Sequence, residues 1–456
     1  MNKSFLWLLR DKRKAIKQGP AAIAQRQHAR LAEIVDYART NSPYYSELYK
    51  NLPERVEDIR LLPVTSKNEL MAHFDDWVTD RNVKIEDVRA FVNNPDIVGE
   101  LYQGKYTVAT TSGTTGNHGI FLMDNQAIAV NFALSLRAMG TWLGTDDIIK
   151  LLIRGGRMAV VAATDGHFLV SSGISRMRKA SKLLSSAIQF FSVHTPISEL
   201  VDQLNQFDPA IVIGYASVIS LLGDEQAAGR LHINPVLVQP AGEAVEDYNR
   251  IANLFNAKVH DLYGATECPF LTSDCKYGWY HVNTDWAVIE PVNAGYQPVQ
   301  PGEQSHTVLL SNLANRVQPI LRYDLGDRVQ MRADLCPCGN PHPAIHVQGR
   351  TADVLTFLSE RRQQVVIAPL VFVTLIDRIP GVRMFQIVQT TPTSLSVRLL
   401  TTTGADPDHV WQMVYAEITQ LLANNKLANV TVERAEEPPE QTPGGKYRTV
   451  IPLRRL

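Results

Sequence analysis

Apolar residues Ile23, Leu31, Ile34, Val35 and Ala38 recur at near-helical spacing, and Asn41-Ser42-Pro43 then stops the helix and opens a turn. Ahead of them, Met1 to Lys17 mixes Phe5, Leu6, Trp7, Leu8 and Leu9 with Arg10, Lys12, Arg13, Lys14 and Lys17. That apolar run is too short for a secretory core and its basic residues follow it, so it reads as an amphipathic opening helix that packs on the body or covers a partner surface. From about residue 107 to 345, short apolar runs alternate with longer helical stretches such as 176 to 189. The runs include Ile148-Ile149-Lys150-Leu151-Leu152-Ile153, Ala159-Val160-Val161-Ala162-Ala163 and Ala210-Ile211-Val212-Ile213-Gly214. Such alternation predicts largely parallel α/β sheets buried on both faces.

The Gly- and Pro-rich segment from Gly295 to Pro301 precedes Thr307-Val308-Leu309-Leu310-Ser311 and reads as a turn feeding a β-rich subdomain. After Gly349 the pattern resets. Strand-like runs at 365–367, 384–388, 395–399 and 430–432, with a helix near 408–424, predict a compact α+β module of about a hundred residues that is large enough to fold alone. The expected organisation is an N-terminal domain over 1–349 and a small C-terminal domain over 350–456.

Composition narrows the function. With 45 basic and 46 acidic residues, the chain has no general field to hold nucleic acid, and neither a nucleic-acid nor a membrane partner is expected. No apolar stretch approaches the roughly 20 residues that span a bilayer. Without an export signal, the four cysteines are expected to be reduced and the chain cytoplasmic, as a monomer or homodimer.

The densest chemical signal is Thr110-Thr111-Ser112-Gly113-Thr114-Thr115-Gly116. Hydroxyls and glycines in this density make a loop whose side chains and amides can wrap a polyphosphate, because glycine permits close backbone approach and successive N–H groups form an anion-binding concavity. The chain has neither a Gly-x-x-x-x-Gly-Lys-Ser/Thr loop nor the Gly-x-Ser-x-Gly elbow of α/β hydrolases.

Four further segments follow in order: Tyr263-Gly264-Ala265-Thr266-Glu267, Arg322-Tyr323-Asp324-Leu325-Gly326-Asp327, Gly349-Arg350-Thr351-Ala352-Asp353 and Pro443-Gly444-Gly445-Lys446. With the first loop, this series resembles the signatures of the adenylate-forming superfamily of acyl-CoA ligases, carrier-protein adenylation domains and luciferases. The resemblance covers nearly the whole chain from about residue 20 and is closest to the phenylacetate-CoA ligase-like branch. It implies an α/β enzyme with a large N-terminal domain and a mobile C-terminal one. It also implies ATP-dependent activation of a carboxylic acid as acyl-AMP, followed by transfer to coenzyme A, to an amine or to a carrier-protein thiol.

The resemblance assigns roles residue by residue. Thr111, Ser112, Gly113, Thr114, Thr115 and Gly116 would hold the β- and γ-phosphates. Asn117-His118 stands where the family often has a lysine, which shifts charge neutralisation toward Mg²⁺ or His118. Glu267 would help hold Mg²⁺, Thr266 would touch the α-phosphate, and Tyr263 would pack on the adenine. Asp261, Gly264 and Ala265 complete that segment, and Gly242-Glu243-Ala244 resembles the family's earlier adenine-contacting turn. Asp327 would bind the ribose, while Asp324-Leu325 departs from the usual Arg-Thr. Arg350 would approach ribose or phosphate, Asp353 matches the hinge, and Lys446 would be delivered to the carboxylate and α-phosphate. The acid pocket would be built from turns around 210–245, with Tyr215, Ala216 and Ala241 as liners and Asp165-Gly166-His167-Phe168 as another candidate turn.

The cysteines give a separate reading. Cys336-x-Cys338, with Cys275 and with His281 five intervening residues later, supplies a Cys₃His tetrahedral set with no open position, which suits structural Zn²⁺. Cys268 is an alternative to one of these four ligands.

Overall fold

The computed structural model describes residues 4–56, 58–111, 119–163, 167–180, 182–242, 245, 247–347, 355–367, 369–440 and 449–453. The chain divides into two compact units, one of Met1–Thr110, Gly119–Ile148 and His260–Gly349, the other of Thr111–His118, Ile149–Val259 and Arg350–Leu456.

The first unit opens with helices α1 (Phe5–Gln18) and α2 (Pro20–Asn41). Ser4 caps α1 by accepting from the Trp7 N–H, and Ser42 ends α2 and caps the next helix by accepting from the Tyr45 N–H. Helix α3 (Asn125–Trp142) is capped by Asp124 and packs against α1 through Leu8, Val130, Ala133 and Leu134. The unit's sheets are antiparallel. One orders strands Ala287–Val292, Thr307–Asn312 and Ile320–Asp324, and another orders Val329–Met331, Ala344–Val347, Tyr280–Val282 and Thr272–Asp274.

The second unit holds the parallel sheet, ordered Ile188–Ser192, Met158–Ala162, Ile211–Tyr215, Leu237–Ala241 and Lys258–Val259. Its central strands are apolar because helices cover both faces, so side chains pointing either way are buried. Beyond residue 355 lies a four-stranded sheet in the order Thr431–Arg434, Ser394–Thr401, Val382–Thr391 and Val450–Ile451. Phe385, Ile387, Leu395 and Val397 of this sheet share a core with Val410, Val414, Ile418 and Leu421 of helix Pro407–Asn424.

Among the described residues the one all-parallel sheet has five strands, the four-stranded sheet beyond residue 355 pairs its two outer strands parallel to their neighbours, and two local readings change. Ile148–Ile153 is not a strand but the body of helix Thr145–Ile153. Asp146 and Asp147 place negative charge in its first turn, and Gly155 and Gly156, both left-handed, end it. The stretch from 176 to 189 is not one helix: helices Leu169–Ala180 and Lys182–Ala187 lead into strand Ile188–Ser192. Among the described residues no helix is long and apolar enough to cross a membrane.

Candidate active site and metal centre

In the first unit, residues 261–268 form a loop ending in a tight turn. Ala265 and Cys268 exchange both backbone hydrogen bonds, at 3.2 and 2.9 Å, which puts Thr266 and Glu267 at the two central positions. Gly264 permits that path: a Cβ there would fall 2.1 Å from the Pro269 carbonyl oxygen. Thr272 fixes the start of the loop, accepting from the Tyr263 N–H at 2.9 Å and donating its hydroxyl to the Tyr263 carbonyl at 2.8 Å. Asp261 accepts from the Tyr280 hydroxyl at 2.9 Å and from the Leu262 N–H, so its carboxylate orients the loop from inside.

Two contacts join this loop to the segment near residue 325. The Tyr263 hydroxyl donates to Asp327 Oδ2 at 2.9 Å, and the Tyr323 hydroxyl donates to Glu267 Oε1 at 2.7 Å. Asn312 Nδ2 donates to the Glu267 carbonyl at 2.8 Å and holds the turn against the neighbouring strand. Burial raises the Glu267 carboxyl above its ordinary range, and the Tyr323 hydrogen bond opposes that rise. Burial and then the Asp327 charge push the Tyr263 phenol well up, so it stays a donor at neutral pH.

Strand Ile320–Asp324 is itself clamped. Arg322 adopts a left-handed φ of 50°, pairs through Nε with Glu290 at 3.2 Å, and donates to the carbonyls of Arg60 and Leu62. Asp324 accepts from Tyr296, Thr307 and the Gly326 N–H. It ties down the turn that presents Asp327.

Tyr263, Thr266, Glu267 and Asp327 therefore gather in one unit. Thr111 and Gly242 are described in the other, Gly242 with a left-handed φ of 73°. Ser112, Gly113, Thr114, Thr115, Gly116, His118, Glu243, Ala244, Arg350, Asp353 and Lys446 lie outside the described residues. The sequence named no role for Tyr323 or Asn312. The first is visible as the residue beside Arg322 in the motif, whereas nothing in sequence marks the second.

In a second cluster His281 lies on strand Tyr280–Val282, Cys275 directly follows strand Thr272–Asp274, and Cys336 and Cys338 lie in the loop between strands Val329–Met331 and Ala344–Val347. Ligand atoms of Cys275, His281, Cys336 and Cys338 all lie within 4.8 Å of one another. Cys275 and Cys336 sulfurs are 3.8 Å apart, and Cys338 Sγ is 3.1 Å from His281 Nε2. His281 Nδ1 meets the His342 carbonyl at 2.9 Å, which sets the proton on Nδ1 and turns the Nε2 lone pair toward the sulfurs. Burial pushes the Cys275 thiol up to about 11 and holds the His281 imidazole below its usual value. Three sulfurs and one oriented imidazole fit a closed Zn²⁺ site. Cys268 is not among them: it packs in the core of the unit, its thiol raised to about 12 by burial.

The parallel sheet, the antiparallel subdomains and the C-terminal α+β module give the chain the fold of the adenylate-forming ligases, and solved structures establish it. One, an open conformation of 2-hydroxyisobutyryl-CoA ligase in complex with 2-HIB-AMP and CoA, matches with a TM-score of 0.54 at 20% identity over 95% of this chain and 91% of that one. The same ligase in its thioesterification state gives 0.57 at 21% identity, over 94% and 89%. In sequence, the chain is similar to protein CapK of Staphylococcus aureus, 23% identical over 439 residues, or 93% of this chain and 88% of that one. No protein-family model matches.

Proposed function

We propose that this protein is an ATP-dependent, AMP-forming carboxylate ligase of the phenylacetate-CoA ligase-like branch. It would convert an acid and ATP into acyl-AMP and pyrophosphate, then pass the acyl group to coenzyme A. The observation that carries the reading is the pairing of Tyr263 with Asp327 and of Tyr323 with Glu267 on this fold, which joins two signature segments about 60 residues apart. Coenzyme A leads as acceptor because the matched ligase binds an acyl-AMP and CoA. An amine or a carrier-protein thiol remains the rival acceptor, since the motifs serve adenylation alone.

Adenylation requires the acid's carboxylate to attack the α-phosphorus while pyrophosphate leaves, so the protein's task is to place anions and balance their charge. In this reading Thr111 to Gly116 cradle the leaving phosphates and Thr266 steadies the α-phosphate. Asp327 accepts from the ribose hydroxyls, and Tyr263, anchored on Asp327, offers its ring to the base. Glu267, with an oxygen free of Tyr323, is a hard ligand suited to Mg²⁺, which would balance phosphate charge when bound. Residues 350–456 would act as the mobile domain that delivers Lys446 to the α-phosphate and withdraws it. The Cys₃His group would hold a structural Zn²⁺ remote from this chemistry.

The test is acid-dependent exchange of labelled pyrophosphate into ATP across aryl, aliphatic and amino acids, with no acceptor present. Exchange with any of them is the expected result and identifies the pocket's preference. Binding of ATP without exchange across the panel would point instead to a non-catalytic nucleotide-binding protein.

A further inference from the structure

Helix α1 carries its charges in two opposite directions, which its sequence does not reveal. Its one anion, Asp11, turns inward and pairs with Arg26 at 2.9 Å and Arg30 at 2.5 Å. Lys12 also turns inward and donates to the Ala133 carbonyl of α3 at 2.9 Å. Leu8 and Ala15 complete the buried stripe. What remains outward is Arg10, Arg13, Lys14 and Lys17, all exposed. Their spacing of three, one and three residues sets them along one face of the helix. Among the described residues none of the four makes an ion pair, and the pairing of Asp11 leaves that face without an anion of its own helix.

At the N-terminal end of this face stand Leu6, 66% exposed, and Trp7, 39% exposed. On another side of the same end of α1, Phe132 of α3 stacks on Phe5 with ring centroids 5.4 Å apart. Aliphatic and aromatic side chains at the tip of a cationic stripe form the pattern that settles into the headgroup boundary of an acidic bilayer. The chain's net charge of -1 makes the stripe a local feature and not part of a general field.

We propose that the outer face of α1 is a docking surface for anionic lipid, with Arg10, Arg13, Lys14 and Lys17 held by the headgroups and Leu6 and Trp7 entering the interface. Charge complementarity selects this occupant: four exposed cations, unpaired among the described residues, match a dense anionic plane, and the apolar tip matches what lies just beneath it. A protein resting on a membrane in this way is peripheral, consistent with the lack of a spanning helix among its described residues. It is also a change from the expectation of no membrane partner, because overall composition averages out a face that folding segregates. The inference is independent of the adenylation reading.

The test is sedimentation of the full chain with vesicles of equal parts phosphatidylglycerol and phosphatidylcholine, against vesicles of phosphatidylcholine alone. Binding to the first and not the second is expected, with release at about 0.5 M NaCl, where screening is strong. Joint replacement Arg10→Glu, Arg13→Glu, Lys14→Glu and Lys17→Glu should lower the partition coefficient on the order of a hundredfold. Scattered reversal of Arg89, Arg361 and Arg383 should leave it within about twofold of the native chain. If the fourfold variant does not fold, Leu6→Ser with Trp7→Ser should still weaken binding severalfold while preserving its salt dependence. Equal binding to both vesicle types, or none to the anionic ones, overturns the proposal. Failure on vesicles with salt-sensitive retention on immobilised polyglutamate would assign the face to an acidic protein instead.

Discussion

Under the proposed function, Glu267 is where the demands of folding and of chemistry pull apart. Its carboxyl is buried and holds its proton more tightly folded than unfolded. A group with a raised folded value stabilises fully only below its unfolded value, about 4.3, and that contribution is lost as pH rises through the folded value. At pH 8 the burial of Glu267 therefore counts against the folded state. Glu267→Gln keeps the shape and still accepts from Tyr323, so its melting midpoint at pH 8 should rise by about 1–3 °C while pyrophosphate exchange falls about a hundredfold. Calorimetry and the exchange assay on one preparation check both; a variant that melts lower and still exchanges would place Glu267 in a purely structural role. Tyr323→Phe removes the bond that opposes the shift, and should move the acidic limb of the exchange profile to higher pH. The identity of Glu267 was legible in sequence. Its burial and its partner 56 residues away were not, because both depend on how strand Ile320–Asp324 is clamped by Arg322.

At the scale of elements, two buried polar groupings fasten the first unit. Arg137 of α3 forms a two-pronged pair with Asp285 at 2.8 and 2.6 Å, and Arg30 of α2 pairs with the same carboxylate at 3.9 Å while lying 3.6 Å over the Trp286 ring. Despite full burial, Arg137 holds the Asp285 carboxyl down at about 2. Asp285→Ala leaves Arg137 buried without its partner and should cost about 3–5 kcal/mol at pH 7. The carboxyl's depressed folded value makes that contribution present above its unfolded value and lost as pH falls. In denaturant titrations the gap between native and variant should therefore narrow between about pH 4 and pH 2. An unchanged gap would mean that packing alone sets the cost. With Zn²⁺ bound, the Cys₃His group would fasten the neighbouring hairpin. About one zinc per chain is expected from elemental analysis, with a chelator lowering the melting midpoint and Cys336→Ser reproducing the loss; an equally stable metal-free chain would remove the ion from the fold. This cluster was readable because metal ligands obey short spacings. The helix Thr145–Ile153 was misread because its continuous apolar run fits a buried strand as well as a helix, and only Asp146-Asp147 and Gly155-Gly156 at its ends discriminate.

For the whole molecule, the proposed reaction has one site serve two half-reactions that need different groups near the acyl phosphate, and gives residues 350–456 the task of exchanging them. Charge is needed at the α-phosphorus only while pyrophosphate departs, so a lysine on a mobile module can be essential to the first step and dispensable in the second. Lys446→Ala should therefore reduce pyrophosphate exchange by about a thousandfold or more. When acyl-AMP is supplied ready-made, its conversion with coenzyme A should stay within about threefold of the native rate. Measuring the two half-reactions separately separates the roles: equal loss in both would make Lys446 a fixed part of one site, and unchanged exchange would remove it from adenylation. The same assay reads the acceptor, since acyl-AMP that persists with coenzyme A and is consumed only on adding an amine makes the protein an amide synthetase on the same adenylating core.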